Sequence, residues 1–259
     1  MKLDHLIEHE IQEALTNIPV SWNDSDFITE ASEDIKMSQG AKMPKNVPSW
    51  SLNAGITCPG SKCPTTGELK PSCISCYAKK GNFIRPNVKD PRTHNQKDWK
   101  RSGWVDDMVE VLEEVRKMRW FDSGDVYHPK LAEKILEVMK KTKHVTHWFP
   151  TMSHDIPKLA VVIDKMDKLK NVKVRRSSGQ VDGTFVKGDG STVVDIKTAR
   201  QWVKFGVPKG VVICPSSLSV DGEVPQSKTK NQPSIKAVGN CKKCRTCWNG
   251  KELVAYVRH

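Results

Sequence analysis

The chain has 259 residues, 37% of them hydrophobic, and a formal net charge of +12. A chain of that size buries a core without covalent staples, so its eight cysteines are not needed as disulfides. It shows no basic segment followed by an apolar leader and no run approaching the roughly 20 apolar residues of a membrane span, so a cytoplasmic protein without a membrane partner is expected.

The charge is unevenly placed. Residues 1–35 hold nine acids and one base, while the remainder carries a net charge of +20. A body that basic points to nucleic acid or another polyanion as partner. In a reducing compartment, clustered cysteines read as metal ligands or redox groups.

In chain order, Leu3, Leu6, Ile7, Ile11, Ala14, Leu15 and Ile18 recur at helical spacing and predict a helix over 3–18, stopped by Pro19. Residues 20–48 read as a polar arm, 49–58 as a strand, and 82–98 as irregular. Val105, Met108, Val109, Leu112, Val115 and Met118 predict a helix over 103–118. "RWFDSGDVY" follows as a strand with a polar end, and Pro129 opens a helix with Leu131, Ile135, Leu136 and Met139 on one face. Then come a strand at 144–153, a helix at 155–169 and a strand in "NVKVRRSSG". Residues 181–195, glycine-rich at the centre, predict a hairpin. "TARQWVKFG" is helical, "GVVICPSS" is a strand ending at Cys214, and a polar loop leads to "CKKCRTCW" and a closing strand, "ELVAYVRH".

Alternating strands and helices predict parallel βαβ units and an α/β fold. Four strand ends are polar ("DSGD", "TMSH", "RRSSG", "CPSS"), and in such folds the C-terminal strand ends carry the site. Each of these residues taken singly also reads as an ordinary helix cap.

The cysteines form two groups. The C-terminal one is Cys241-x2-Cys244-x2-Cys247, with Cys214 upstream. Steps of three suit a cube, where each thiolate reaches a different iron, better than a single zinc ion, which favours two separated pairs. Trp248 follows directly and either shields such a cluster or packs in the core. The opening group is Cys58-x4-Cys63-x9-Cys73-x2-Cys76, whose spacing serves zinc or iron–sulfur equally.

The ending Cys73-x2-Cys76-Tyr77-Ala78 resembles the cluster loop of radical S-adenosylmethionine (SAM) enzymes. Its x4, x9, x2 spacing is similar to that of the catalytic subunit of Elongator. The resemblance implies a [4Fe–4S] cluster on Cys63, Cys73 and Cys76, with Cys58 spare or fourth, and one iron open for SAM. It implies a partial (βα) barrel whose first strand, "WSLNAGIT", precedes the loop. "DSGD" then stands where these enzymes place a Gly-Gly-Glu-like turn, so Ser123, Gly124 and Asp125 would take the SAM amino group. A second resemblance covers residues 48–259. "WSL", "CYA", "FDSGD" and the terminal "C-x2-C-x2-CW" with "VAYVRH" are similar to the phage gene product 88-like family. That implies a phage or prophage origin, action in the infected host's cytoplasm, and metal or iron–sulfur binding.

The expected organisation is an acidic helix and arm at 1–47, an α/β partial barrel with the first cysteine loop at 48–215, and a cysteine-rich segment with a closing strand at 216–259. The expected function is a phage-type [4Fe–4S] protein, radical-SAM-like if enzymatic, needing an electron donor. The alternative is a non-catalytic nucleic-acid-binding protein with structural zinc or iron–sulfur sites. His154 and His259 are secondary candidates. Lys173, Arg175 and Arg176 are either phosphate contacts or solvated charges. No GxSxG, HExxH or P-loop pattern is present, and "GDGST" reads as a turn.

Overall fold

A computed structural model describes residues 35–186, 190–226, 235–236, 239–241 and 244–258. The helix expected at 3–18 and His259 lie outside them. The described strands are β1 (Ser49–Trp50), β2 (Lys117–Trp120), β3 (Thr146–Thr151), β4 (Val172–Arg176), β5 (Ser191–Val194), β6 (Val211–Ile213) and β7 (Leu253–Val257). The helices are α1 (Pro71–Ile74), α2 (Pro86–Asp98), α3 (Trp104–Val111), α4 (Pro129–Lys141), α5 (Pro157–Asp167), α6 (Ile196–Phe205) and α7 (Thr246–Asn249).

The strands lie in two parallel sheets, one in the order β1-β2-β3-β4 and one in the order β5-β7-β6. A parallel bridge between Ser177 and Ser191 joins the end of β4 to the start of β5. The expected α/β class with parallel strands is thus observed. No helix among the described residues is long and apolar enough to cross a membrane.

Local chemistry sets the helix starts. Pro129 opens α4 behind His128, whose ring nitrogen accepts from the Lys130 amide. Asp195 caps α6 by accepting from the Thr198 amide. In β2, Met118 and Trp120 enter the core that the helices cover, while Arg119, by the two-residue alternation, faces the other side. The core centres on Trp50, which meets Trp104, Trp120 and Phe121 edge-on; Phe121 does the same with Phe149, with centroids 5.3 to 6.0 Å apart. Each such pair adds about 1 kcal/mol beyond area burial.

Four expectations are corrected. Residues 86–98 are a helix, α2, rather than irregular; its buried side chains are Arg92, Asn95 and Asp98, so it has no apolar stripe to read. Arg92 pairs with Asp122, and Asn95 donates to the carbonyls of Lys36 and Ser51. The helix expected over 103–118 stops at Val111, and Lys117 and Met118 belong to β2. The strand expected over 49–58 is two residues long, because the chain turns away after Leu52. The hairpin expected at 181–195 is only partly one. Asp182 and Val194 form an antiparallel bridge, but β5 pairs in parallel with β7.

His147 is a structural group. It is fully buried, and its Nδ1 accepts from the Trp120 indole N–H at 3.2 Å, which leaves the proton on Nε2 to face Thr142 Oγ1 at 3.0 Å. Burial holds its pKa down to about 3. Its folded pKa lies below the unfolded value, so this stability is complete above about pH 6.5 and drains as pH falls toward 3. His147→Gln is expected to destabilise the chain at pH 7 and to flatten acid unfolding between pH 6.5 and 4. Denaturant melts at a series of pH values check both.

Candidate metal centres

The cysteine loop is docked on the C-terminal ends of the first sheet. Gly60 sits so close to the chain after β3 that an added Cβ would lie 2.1 Å from the Met152 carbonyl oxygen. The Asp125 amide donates to Thr57 O, the Ser72 amide to Gly179 O, and Lys70 pairs with Asp155 at 2.9 Å. "DSGD", "TMSH" and "RRSSG" therefore all meet this loop or its support, as parallel sheets commonly place their sites. Gly60→Ala is expected to lift the loop at a cost of about 1–3 kcal/mol. Protease nicking within 58–80 should rise well before global melting; unchanged protection there would contradict the docking.

Within the loop, Cys58, Cys73 and Cys76 lie near enough to act on one another's charge. Burial pushes the Cys58 thiol up to about 12, and the charges of Asp125, Cys76 and Cys73 add to it. Burial raises Cys73 as well, and its Sγ donates to the Met152 sulfur at 3.7 Å. Cys63 stands apart. Lys62 and Leu69 form an antiparallel bridge, and the turn through Gly67, with φ of +71°, makes a small hairpin that carries Cys63 outward. Hydrogen bonds from the hydroxyls and amides of Thr65 and Thr66 hold its exposed thiol down to about 6.

The "DSGD" turn is spent on the protein. Phe121 adopts a left-handed φ of 55°, a strained state for a bulky residue, held by its packing between Trp50 and Phe149. The chain then turns back over the sheet edge. Ser123 donates to Leu52 O at 2.6 Å, and Gly124, with φ of +74°, leaves no room for a Cβ against Leu52 and Thr57. Asp122 is held by Arg92. The buried Asp125 carboxylate accepts from the amides of Val126 and Met152 and from Ser153 Oγ, at 2.7 to 3.0 Å. Burial raises its pKa to about 6. The expected SAM-binding residues Ser123, Gly124 and Asp125 are staples between β1, β2 and β3.

The second group lies between the two sheets. Cys214, just past β6, packs with Cys241, Cys247, Trp148, Trp248, Val254 and Tyr256 in one apolar cluster. A hydrogen bond between Cys214 and Cys241 pushes the Cys214 thiol below its ordinary range and the Cys241 thiol above it. Burial lifts Cys247 to about 11, and its Sγ lies 3.6 Å from the Tyr256 hydroxyl. The Cys244 thiol faces Thr246 Oγ1 at 3.6 Å. Three cations surround the cluster. Lys42 acts on Cys214 and Cys241, and Arg119 and Arg175 act on Cys247.

Arg119 was not among the residues singled out, yet it lies between the two groups. Its guanidinium sits 4.5 Å over the Trp148 ring and hydrogen-bonds the Tyr77 hydroxyl, which itself donates to Asp122 O. It also feels Tyr256. Its Nε and the Trp148 indole N–H are buried with no hydrogen-bond partner. The other basic candidates are used by the fold. Arg175 donates to the carbonyls of Thr246, Gly250 and Glu252, and Arg176 pairs with Asp164 and Asp167. The His154 ring nitrogen hydrogen-bonds the Thr151 carbonyl, beside the charges of Asp155, Lys70 and Arg176.

Among the described residues, no three Cys, His, Asp or Glu side chains converge tightly enough to hold one metal ion. Tetrahedral zinc on thiolates sets its sulfurs roughly 3.8 Å apart. Soft donors more widely spread, in an apolar shell with nearby cations and spare N–H donors, are a set that a cubane cluster can use.

The family model described as gene product 88 matches residues 26–250. The chain belongs to the gene product 88 family. Neither a curated protein nor a solved structure matches it. The family match takes in both cysteine groups and the "FDSGD" turn.

Proposed function

We propose that this gene product 88 family member is an iron–sulfur protein with two [4Fe–4S] clusters, working in the cytoplasm of a phage-infected host. Cys214, Cys241, Cys244 and Cys247 would close one cluster. Cys58, Cys73 and Cys76 would hold the other. The observation that carries this is the convergence of Cys214, at the end of β6, on Cys241 and Cys247 in a shell of tryptophans and cations. Three thiols from two separated stretches of chain share one apolar cluster that contains no histidine or carboxylate.

A cluster on three thiolates supplies one-electron reduction and leaves one iron open to a ligand such as SAM. The chain's own residues divide the remaining work. Trp148, Trp248 and Val254 exclude water from the C-terminal group, while Lys42, Arg119 and Arg175 offset the negative charge of its thiolates. Asp125 holds the loop that carries the trio, and Tyr77 closes one side of it. The continuous order β1-β2-β3-β4, with the Ser177–Ser191 bridge into β5, supports a partial-barrel scaffold.

EPR on the anaerobically reconstituted, reduced chain tests the open iron. Added SAM is expected to change the loop signal and leave the C-terminal signal alone. Two signals that both ignore SAM would remove radical chemistry and leave the clusters.

A further inference from the structure

The segment that carries the loop trio also presents a surface that nothing within the described chain uses. Ile56, Ile74, Tyr77 and Ile84 are 76%, 66%, 53% and 61% exposed, although each is a side chain that folding ordinarily buries. Lys62, Lys79, Lys80, Arg85 and Lys89 are exposed on the same segment, and none of them pairs with a carboxylate among the described residues. Between residues 54 and 89 the only acid is Glu68. The apolar groups are therefore not a core surface laid bare by chance. They are interleaved with unneutralised cations, which a docking protein helix or a lipid-free apolar partner would have to bury at a cost.

Tyr77 sharpens the chemistry. Its hydroxyl is anchored on Asp122 O at 2.6 Å, and its ring meets Phe83 edge-on at 5.2 Å. Arg92 lies 4.8 Å from the centre of the Phe83 ring and so fixes that ring. The phenol is a braced, half-exposed ring on a segment that also carries the exposed Lys79, Lys80 and Arg85. That combination suits a strand whose backbone is anionic and whose flat bases are unstacked.

We infer that the Ile56–Lys89 surface binds single-stranded nucleic acid, with Lys79, Lys80 and Arg85 on phosphates and a base stacked on Tyr77. Residues near Cys73 and Cys76 would then bring the strand to the edge of the cysteine trio. Binding does not depend on what the cysteines hold, so it can stand or fall separately from the clusters.

The test is fluorescence anisotropy with labelled single-stranded RNA, single-stranded DNA and a duplex of equal length, over a range of salt. The wild-type chain is expected to prefer single strands. Log affinity should fall with log salt at about 0.7 per phosphate contact. Lys79→Gln/Lys80→Gln/Arg85→Gln should lower that slope by about 2. Tyr77→Ser should weaken binding about tenfold while Tyr77→Phe retains it, with melting curves confirming that each variant folds. Unchanged slope and affinity in the triple variant would overturn the inference. So would binding to anionic phosphatidylserine vesicles with none to either oligonucleotide.

Discussion

Asp125→Ala is expected to be among the most damaging single substitutions in the chain, at a cost of about 3–5 kcal/mol. Its carboxylate accepts three hydrogen bonds in a buried place, and truncation would strand the Val126 and Met152 amides and the Ser153 hydroxyl. A stranded buried donor costs about 1–3 kcal/mol. Asp125→Asn keeps the shape and one acceptor oxygen, so it should cost clearly less. The damage should be directional as well. Asp125 ties the turn after β2 to the turn after β3, against which Gly60 of the cysteine loop packs, so the loop loses its base before the helices melt. Hydrogen exchange would show protection lost first at residues 57–76 and 152–153. Uniform loss across α4 and α5 would contradict that order.

Serine substitutions should sort the eight cysteines into three classes. Cys58→Ser, Cys73→Ser and Cys76→Ser should each remove about half of the bound iron, as should Cys214→Ser, Cys241→Ser, Cys244→Ser and Cys247→Ser. The two sets should be additive, because their thiols belong to separate groups. Cys63→Ser should leave the iron content unchanged, since the hairpin holds that thiol away from the trio. Iron and acid-labile sulfide measured on each variant check this. Iron lost with Cys63→Ser and kept with Cys58→Ser would restore the ligand set implied by the resemblance to radical SAM loops.

That reversal shows what the cysteine pattern alone conveys. Spacing located the loop and its place after the first strand, and the polar strand ends marked the edge on which it docks. Spacing did not choose among the four thiols. In the proposed reading the choice falls to a hairpin between Lys62 and Leu69, whose trace in the sequence is the Thr-Gly step at 66–67, a turn signal inside the loop. The helix at 86–98 escaped for a related reason. Its buried side chains are Arg92, Asn95 and Asp98, polar groups answered by Asp122, by the Lys36 and Ser51 carbonyls and by Arg101, so hydrophobic periodicity had nothing to register. Arg119 belongs to the same class. In a strand it reads as a solvent-facing charge, and only the packing of the second sheet over that face encloses it. Apolar patterns were therefore legible for α4, α5 and the β strands, while polar groups buried by long-range partners were not.

The most direct measurement is the iron, sulfide and zinc content of the wild-type chain reconstituted without oxygen. Two cubane clusters give about eight iron and eight acid-labile sulfide per chain, with no stoichiometric zinc. About two zinc per chain and no sulfide would contradict the clusters and leave the cysteines as closed structural sites.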